Sequence, residues 1–261
     1  MPAPPLPRPP ITVSIVSHGQ LALILPLLEQ LNQHCGQVIS RVVLTVNIPE
    51  PDLLAGRTWA VPLTRIDNAQ AQGFGANHNA AFAQDAALGA SDWFLVLNPD
   101  MRFDADVLTP LLAHAQARDG LLAPRILEPA KAGPEVHRRL ITPQEILTRR
   151  KPGYATPKQP DWIPGLFMLF RGDAYREIHG FDERFFMYGE DFDICARLRL
   201  AAWHIRIAEH LQARHEAQRA SHRSSRHLRW HLGSLARVWL SESFWRYRAL
   251  LAREAREAPG R

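Results

Sequence analysis

The chain has 261 residues, 46% of them hydrophobic, with a formal net charge of +5 and a pI of about 9.7. This composition excludes an intrinsically disordered chain, and no apolar run approaches the roughly 20 residues of a transmembrane helix. The proline-rich start, residues 1–10, lacks the apolar core of a signal peptide, and Cys35 and Cys195 form no metal or disulfide pattern, so we expect a cytoplasmic protein.

Short apolar segments alternate with helical patterns along most of the chain. Strands are predicted at 11–17, 42–46, 60–66, 93–97, 121–127, 166–171 and 203–208, and helices at 20–32, 80–88, 104–117 (capped by Asp104) and 173–179. Such alternation predicts an α/β fold with a mostly parallel sheet and helices on both of its faces. The long stretch 128–160, rich in Pro, Gly, Lys and Arg, is predicted to be a functional loop or a mobile segment.

Polar residues follow the first three predicted strands. In parallel sheets ligands bind at the carboxyl ends of the strands, so these side chains are expected to line a cleft. They are Ser17, His18, Asn47, Asp67 and Asn68.

Residues 73–79 read GFGANHN and precede a predicted helix. Glycines such as Gly73 and Gly75 would let the backbone approach a phosphate at the positive end of that helix. The segment matches neither the Rossmann nor the P-loop pattern, and an ordinary loop leading into a helix explains it equally well.

The clearest central strand, 93–97, runs directly into Asn98, Pro99 and Asp100. A carboxylate held at this position suits a hard cation such as Mg²⁺ or Mn²⁺, which proteins often bind with one or two carboxylates plus substrate phosphates. The alternative is a simple turn, since these residue types are common in turns.

An aromatic and acidic stretch, 180–193, leads into a helical pattern that begins near Glu190 and Asp191. Acids favour the first turn of a helix because they complement its exposed N–H groups, so capping is one interpretation. The other is an acid–base site, because Phe185, Phe186 and Tyr188 can exclude water and raise a carboxylate pKa.

Together these segments resemble the family 2 glycosyltransferases of the GT-A fold, within them the bacterial rhamnosyltransferase-like group that builds cell-surface polysaccharide. Five segments in the expected order carry the resemblance, which covers almost the whole chain: VSIVSH at 13–18, GFGAN at 73–77 with Asn79, NPD at 98–100, WIPG at 162–165 and GFDERFFMYGED at 180–191.

The resemblance implies roles for the matching residues. Asp191 would be the catalytic base, with Glu190 orienting it or the acceptor, and Asp100 would bind a divalent Mg²⁺ or Mn²⁺ ion together with His215. The nucleotide-sugar site would comprise Ser17, Asn47, Asn68, Gly73, Gly75, Asn77, Asn98 and Asp100, with Ser17 and Asn47 facing the base. Trp162 and Gly165 would contact the acceptor or its sugar, unless Trp162 is a core residue.

The implied reaction is transfer of a sugar to a hydroxyl of a polysaccharide or lipid-linked acceptor. A cation at Asp100 would neutralise charge on the leaving diphosphate, and Asp191 would take the acceptor's proton. One base opposite the leaving group implies inversion. The resemblance to the rhamnosyltransferase-like group favours dTDP-L-rhamnose as the donor, with UDP-sugars next. His18-Gly19 and Asn47 depart from the usual pattern of the family, so the identity of the nucleotide stays undecided.

The chain is expected to divide into a GT-A catalytic domain, residues 1–215, and a basic amphipathic helical tail, residues 216–261. Two interpretations of the tail stay open. It could pack on the catalytic domain, or it could lie on an anionic membrane, peripheral to the inner face of the plasma membrane.

Two other function classes compete with this interpretation. A nucleic-acid-binding protein would explain the basic pI but not acids beside aromatic residues, so we expect no nucleic acid partner. A metal-dependent phosphohydrolase or nucleotidyltransferase usually gathers more carboxylates or histidines around two metals than this sequence offers.

Overall fold

The computed structural model of the protein describes residues 10–129, 133–149, 151–216 and 225–257, with side chains omitted at 225–229. The predicted tail residues 217–224 and 258–261 therefore lie outside the described residues. No helix in these ranges is both long and apolar enough to cross a membrane.

The described strands form one sheet. They are β1 (Ile11–Ser17), β2 (Ile39–Val46), β3 (Leu63–Asp67), β4 (Trp93–Leu97), β5 (Met101–Arg102), β6 (Asp119–Leu127), β7 (Phe167–Arg171) and β8 (His204–His215), in the order β3-β2-β1-β4-β7-β6-β8-β5. The pairs among β3, β2, β1 and β4 are parallel, as is β6 with β8. The predicted mostly parallel sheet is confirmed, with β7 inserted antiparallel between β4 and β6.

The described helices are α1 (Leu21–Gln30), α2 (Phe74–Ala87), α3 (Leu108–Ala113), α4 (Pro143–Thr148), α5 (Gly172–Glu177), α6 (Glu190–Leu200), α7 (Ser225–Leu240) and α8 (Glu242–Glu257). A π-helical turn, Leu31–Cys35, extends α1. The start of α6 at Glu190 agrees with the sequence pattern.

The predicted bounds of α2, α3 and β8 differ most from the structure. Helix α2 begins at Phe74 rather than residue 80, so Gly75 and Asn77 lie inside it. Helix α3 is shorter than predicted, and Asp106 rather than Asp104 caps it, by accepting hydrogen bonds from the N–H groups of Leu108 and Thr109. Strand β8 continues to His215, because it pairs with β6 and then with β5.

The tail forms two helices rather than one, and they pack on the rest of the protein. Phe244 and Tyr247 of α8 are buried, and the Tyr247 hydroxyl donates to the carbonyl of Asp161 at 2.6 Å. Arg199 of α6 binds Glu254 at 2.6 Å. The described part of the tail is therefore joined to the sheet-bearing part of the chain by core contacts as well as ion pairs.

Candidate active site

Glu190 and Asp191 open helix α6 after two residues in the left-handed region, Tyr188 at φ 70° and Gly189 at φ 84°. Asp191 accepts hydrogen bonds from the N–H of Phe192 at 2.8 Å and from the N–H of Gly165 at 3.3 Å. Glu190 is buried, and its Oε2 has no hydrogen-bond partner among the described residues. The first turn of α6 thus holds one carboxylate in the interior and one at a half-buried position beside Gly165.

Burial raises the pKa of both carboxyls. For Glu190 the negative charge of Asp191 raises the pKa further. For Asp191 the N–H of Phe192 and the charge of Arg138 act in the opposite direction without cancelling the effect of burial. A carboxylate with a raised pKa is a stronger base at neutral pH, which is what proton removal from a hydroxyl requires.

Asp100 and His215 form a second cluster at the edge of the sheet. Met101 pairs with His215 across β5 and β8, which places the carboxylate of Asp100 3.1 Å from His215 Nε2. Parallel pairing of β6 with β8 sets Leu127 beside Arg214, so the next residue, Glu128, lies 3.6 Å from His215 Nδ1. Burial lowers the pKa of His215, but Asp100 and Glu128 outweigh it and raise the pKa above its usual value.

This second cluster has the donors for a divalent cation. Two ligands at right angles around an ion at about 2.1 Å lie about 3 Å apart, which fits Asp100 and His215. Within the described residues there is no group of three or more His, Cys, Asp or Glu side chains arranged for an ion. Such a cation would therefore need ligands from the substrate, as Mg²⁺ and Mn²⁺ sites with bound phosphates commonly have.

Asn47, Asn68 and Asn77, which the resemblance assigns to the nucleotide sugar, form a hydrogen-bonded set. The Asn47 Oδ1 accepts from Asn68 Nδ2 and from the N–H of Gln72, both at 2.8 Å, and Asn47 Nδ2 donates to the Gln72 carbonyl at 3.0 Å. Asn68 also donates to Asn77 at 2.7 Å. These bonds tie the ends of β2 and β3 to the start of α2.

Ser17 and Asn47, which the resemblance assigns to the base, are both buried and bonded within the protein. Ser17 Oγ accepts from the N–H of Gln20 at 3.0 Å. Asn77 is likewise buried, while His18 and Asp67 at the same strand ends are exposed.

Gly73 and Gly75 permit close packing against the aromatic stretch. A Cβ at Gly73 would lie 2.9 Å from the Cα of Phe186, and one at Gly75 would lie 2.6 Å from the Cβ of Phe181. The adjacent N–H of Phe74 donates to the carbonyl of Phe186 at 2.9 Å. The glycine segment therefore fastens α2 to the aromatic stretch.

Of the two alternatives for Trp162, the structure agrees with a core residue. Trp162 is 5% exposed, its Nε1 donates to the Arg139 carbonyl at 2.8 Å, and the Arg138 guanidinium covers its ring at 4.9 Å. Gly165, by contrast, does lie beside Asp191.

The two carboxylate clusters are connected through the backbone. The N–H of Asn98 donates to the carbonyl of Leu166 at 3.0 Å, and the neighbouring Gly165 binds Asp191. The turn that carries Asp100 therefore adjoins the segment that holds Asp191. Sequence reasoning missed Glu128, which no local pattern distinguishes from other acids in the segment 128–160.

Comparison with known proteins decides the family. The model of the family described as "Glycosyl transferase family group 2" matches residues 93–255, more than half of the chain. The chain belongs to this family. It is a glycosyltransferase, and the match extends through most of the two tail helices.

Two relatives with which the chain can be aligned are rhamnosyltransferases. The chain is 28% identical over 247 residues to the rhamnosyltransferase WbbL of Escherichia coli K12, covering 87% of this chain and 91% of that protein. It is 31% identical over 134 residues to the N-acetylglucosaminyl-diphospho-decaprenol L-rhamnosyltransferase of Mycobacterium tuberculosis, a match that covers 43% of each chain.

Solved structures show the GT-A fold. GalNAc-T7, crystallised with UDP, GalNAc and Mn²⁺, has a TM-score of 0.62 at 14% identity, over 79% of this chain and 43% of that one. The mannosyltransferase PcManGT from Pyrobaculum calidifontis, in complex with GDP-Man and Mn²⁺, has a TM-score of 0.59 at 15% identity, over 83% and 59%.

Proposed function

We propose that the protein transfers L-rhamnose from dTDP-L-rhamnose to a hydroxyl of a lipid-linked or polysaccharide acceptor, with inversion at the anomeric carbon. The observation that carries the proposal is that Asn98, two residues before Asp100, donates to the carbonyl of Leu166, next to the Gly165 whose N–H binds Asp191. The choice of sugar is supported by the names of the relatives, above all by WbbL, which matches most of the chain.

Asp191 is the proposed base. As the acceptor oxygen bonds to the anomeric carbon, Asp191 takes its proton, and the bond from that carbon to the diphosphate breaks with its electron pair leaving on the diphosphate. Burial raises the basicity of Asp191, and Glu190, beside it in the first turn of α6, is proposed to orient Asp191 or the acceptor. A base on the face opposite the leaving group requires a single displacement.

Asp100 and His215 are the proposed ligands of a divalent cation, and Glu128 orients the imidazole from its other side. When bound, the cation would neutralise negative charge on the leaving diphosphate. The Mn²⁺ present in both structural neighbours supports this assignment. Asn68, Asn77 and Asn98 are proposed to shape the donor side of the cleft through the protein's own hydrogen bonds.

The experiment compares three nucleotide sugars as donors. The enzyme is incubated with dTDP-L-rhamnose, UDP-N-acetylglucosamine or GDP-mannose, Mn²⁺ or Mg²⁺, and an N-acetylglucosaminyl diphosphate that carries a short alkyl chain. We expect release of dTDP from dTDP-L-rhamnose, accelerated by the acceptor, and a product of inverted anomeric configuration by NMR. Turnover of GDP-mannose alone would reject both the dTDP and the UDP donors.

We also propose that the enzyme works on the inner face of the plasma membrane. Helices α7 and α8 expose Leu232, Leu240 and Trp245, with Leu240 85% exposed where the two helices meet. Exposed arginines of the same helices, among them Arg237 and Arg246, would meet anionic headgroups. A lipid-linked acceptor would be presented at that surface.

A further inference from the structure

The aromatic stretch before α6 is held from two sides. The carbonyl of Phe186 accepts from the N–H of Phe74 at 2.9 Å, on the α2 side of the stretch. The carbonyl of Met187 accepts from Ser234 Oγ of α7 at 2.8 Å. Residues 185–189 therefore lie between α2 and α7, directly before Glu190 and Asp191.

Two pairs of rings meet at the junction of this stretch with α7. Phe186 and Trp230 lie 5.2 Å apart between ring centroids, at an interplanar angle of 39°. Tyr188 and His231 are stacked at 3.6 Å and 12°. We call these four residues the aromatic junction.

The aromatic junction is accessible. Phe186 is 38% exposed, His231 is exposed, and Tyr188 and Trp230 are half-buried. Binding sites for small molecules are lined largely by apolar and aromatic side chains with a few polar groups, which is the composition of this surface.

The backbone conformation of Tyr188 is the next observation that bears on function. Its φ of 70° is unfavourable for a residue with a Cβ, and it is followed by the left-handed Gly189. Such strain persists only when surrounding contacts enforce it, and it is concentrated at functional sites. The stack with His231 supplies one such contact, so α7 helps to fix the backbone that presents Glu190 and Asp191.

We propose that the sugar ring of the acceptor packs on the aromatic junction, mainly on Phe186 and Trp230, and that α7 thereby completes the acceptor site. The inference rests on the proposed function and specifies the acceptor half of the same site. The C–H face of a pyranose packs on aromatic rings, and the phenol and imidazole of Tyr188 and His231 give the surface polar atoms that suit hydroxyls. A hydrocarbon chain would gain nothing from those polar atoms.

Other tryptophans fit this role less well. Trp162 is buried under Arg138. Trp245 is 53% exposed, but its Nε1 donates to the Trp239 carbonyl and the Arg248 guanidinium lies 5.3 Å from its ring. Trp245 therefore serves as a matched control on α8.

The test compares Phe186→Ala and Trp230→Ala with Trp245→Ala and the conservative Trp230→Phe. The hydrogen bonds from Phe74 and Ser234 are accepted by the backbone carbonyls of Phe186 and Met187, so Phe186→Ala leaves both in place. Binding of the alkyl-linked N-acetylglucosaminyl diphosphate is measured by calorimetry, and slow hydrolysis of dTDP-L-rhamnose without acceptor reports the donor site. Alkyl diphosphate without the sugar is the second probe.

We expect the two junction alanine variants to bind the sugar-bearing probe about tenfold more weakly and to raise the acceptor KM similarly, as the loss of a buried aromatic contact does. The variants should still hydrolyse the donor, their melting temperatures should stay near the native value, and Trp230→Phe should recover most of the affinity. Trp245→Ala should bind the probe as the native enzyme does, because the probe is offered in solution without the membrane that Trp245 is proposed to contact.

Two results would overturn the proposal. One is unchanged acceptor affinity in both folded junction variants. The other is equal weakening of the probe without a sugar, which would assign the surface to the alkyl chain. Because binding is measured without turnover, failure of the rhamnosyl transfer itself would be seen separately in the comparison of donors.

Discussion

The carboxylate of Asp100 and the imidazole of His215 lie 3.1 Å apart, although one follows the central strand β4 and the other ends the last strand β8. Antiparallel pairing of β5 with β8 brings them together, and the N–H of Glu216 donates to the carbonyl of Asp100 at 2.9 Å. The backbone on both sides of the pair is therefore fixed, which a two-ligand metal site requires.

Replacing either member of this pair should remove metal-enhanced nucleotide binding. We expect Asp100→Ala and His215→Ala to bind dTDP or UDP equally with and without Mn²⁺ in calorimetry, because the remaining single ligand holds the ion weakly. Asp104→Ala is the matched control, since Asp104 is exposed and pairs with Arg214 instead. Undiminished metal dependence in both variants would place the ligands elsewhere.

Asp191→Asn keeps the shape of the side chain but removes its basicity. We expect transfer to fall by roughly a hundredfold or more while donor binding persists, because general base catalysis typically contributes that much. Asp173→Asn, at an exposed acid of α5 with 82% side-chain exposure, controls for the change in net charge. Near-normal turnover of Asp191→Asn would contradict the assignment.

Glu190 should make the stability of the fold depend on pH. Its pKa in the folded protein is raised above the ordinary 4.5 by burial and by Asp191, so the folded state holds its proton more tightly than the unfolded state. Its stabilising contribution is therefore complete below the ordinary pKa and is lost as the pH rises through the raised value.

Glu190→Gln tests this dependence. Melting temperatures of the native protein and the variant should agree near pH 4, and the variant should be the more stable at pH 8 to 9. Parallel melting curves across this range would show that Glu190 does not ionise in a desolvated site.

The α8 helix should be required for the stability of the fold. Tyr247→Ala removes a fully buried ring, so we expect the free energy of unfolding to fall by about 3–5 kcal/mol in denaturant titrations. Tyr247→Phe loses only the hydroxyl's bond to Asp161 and should cost about 1 kcal/mol. A chain that ends near residue 221 should be insoluble. If it remains folded and soluble, the core contacts of the tail are dispensable.

Membrane binding is tested on the full chain, since removing the tail would unfold it. We expect the native protein to float with anionic liposomes at low salt, and less at high salt, because surface charges are screened over about 8 Å at physiological ionic strength. Leu240→Ser combined with Trp245→Ser should weaken flotation. The control is Leu147→Ser, at a 72% exposed leucine of α4. Absence of native flotation at low salt would reject the membrane proposal.

The local sequence was enough to locate strands that are buried on both faces and the helix whose first turn carries acidic residues. Strands β1 and β4 are continuous apolar runs because both faces of a central parallel strand are covered, and their predicted bounds agree with the structure. The acids at the start of α6 were visible because a helical pattern follows them. The five short segments, in order, were enough to indicate the family.

Tertiary structure alone decided which of these residues meet. The antiparallel insertion of β7, the approach of His215 and Glu128 to Asp100, and the placement of α7 against Phe186 and Tyr188 all depend on pairing between segments distant in the chain. No local periodicity encodes such pairing. For the same reason Trp162 could not be distinguished from a sugar-binding residue, nor Asn47 from a base-binding one, until their neighbours were known.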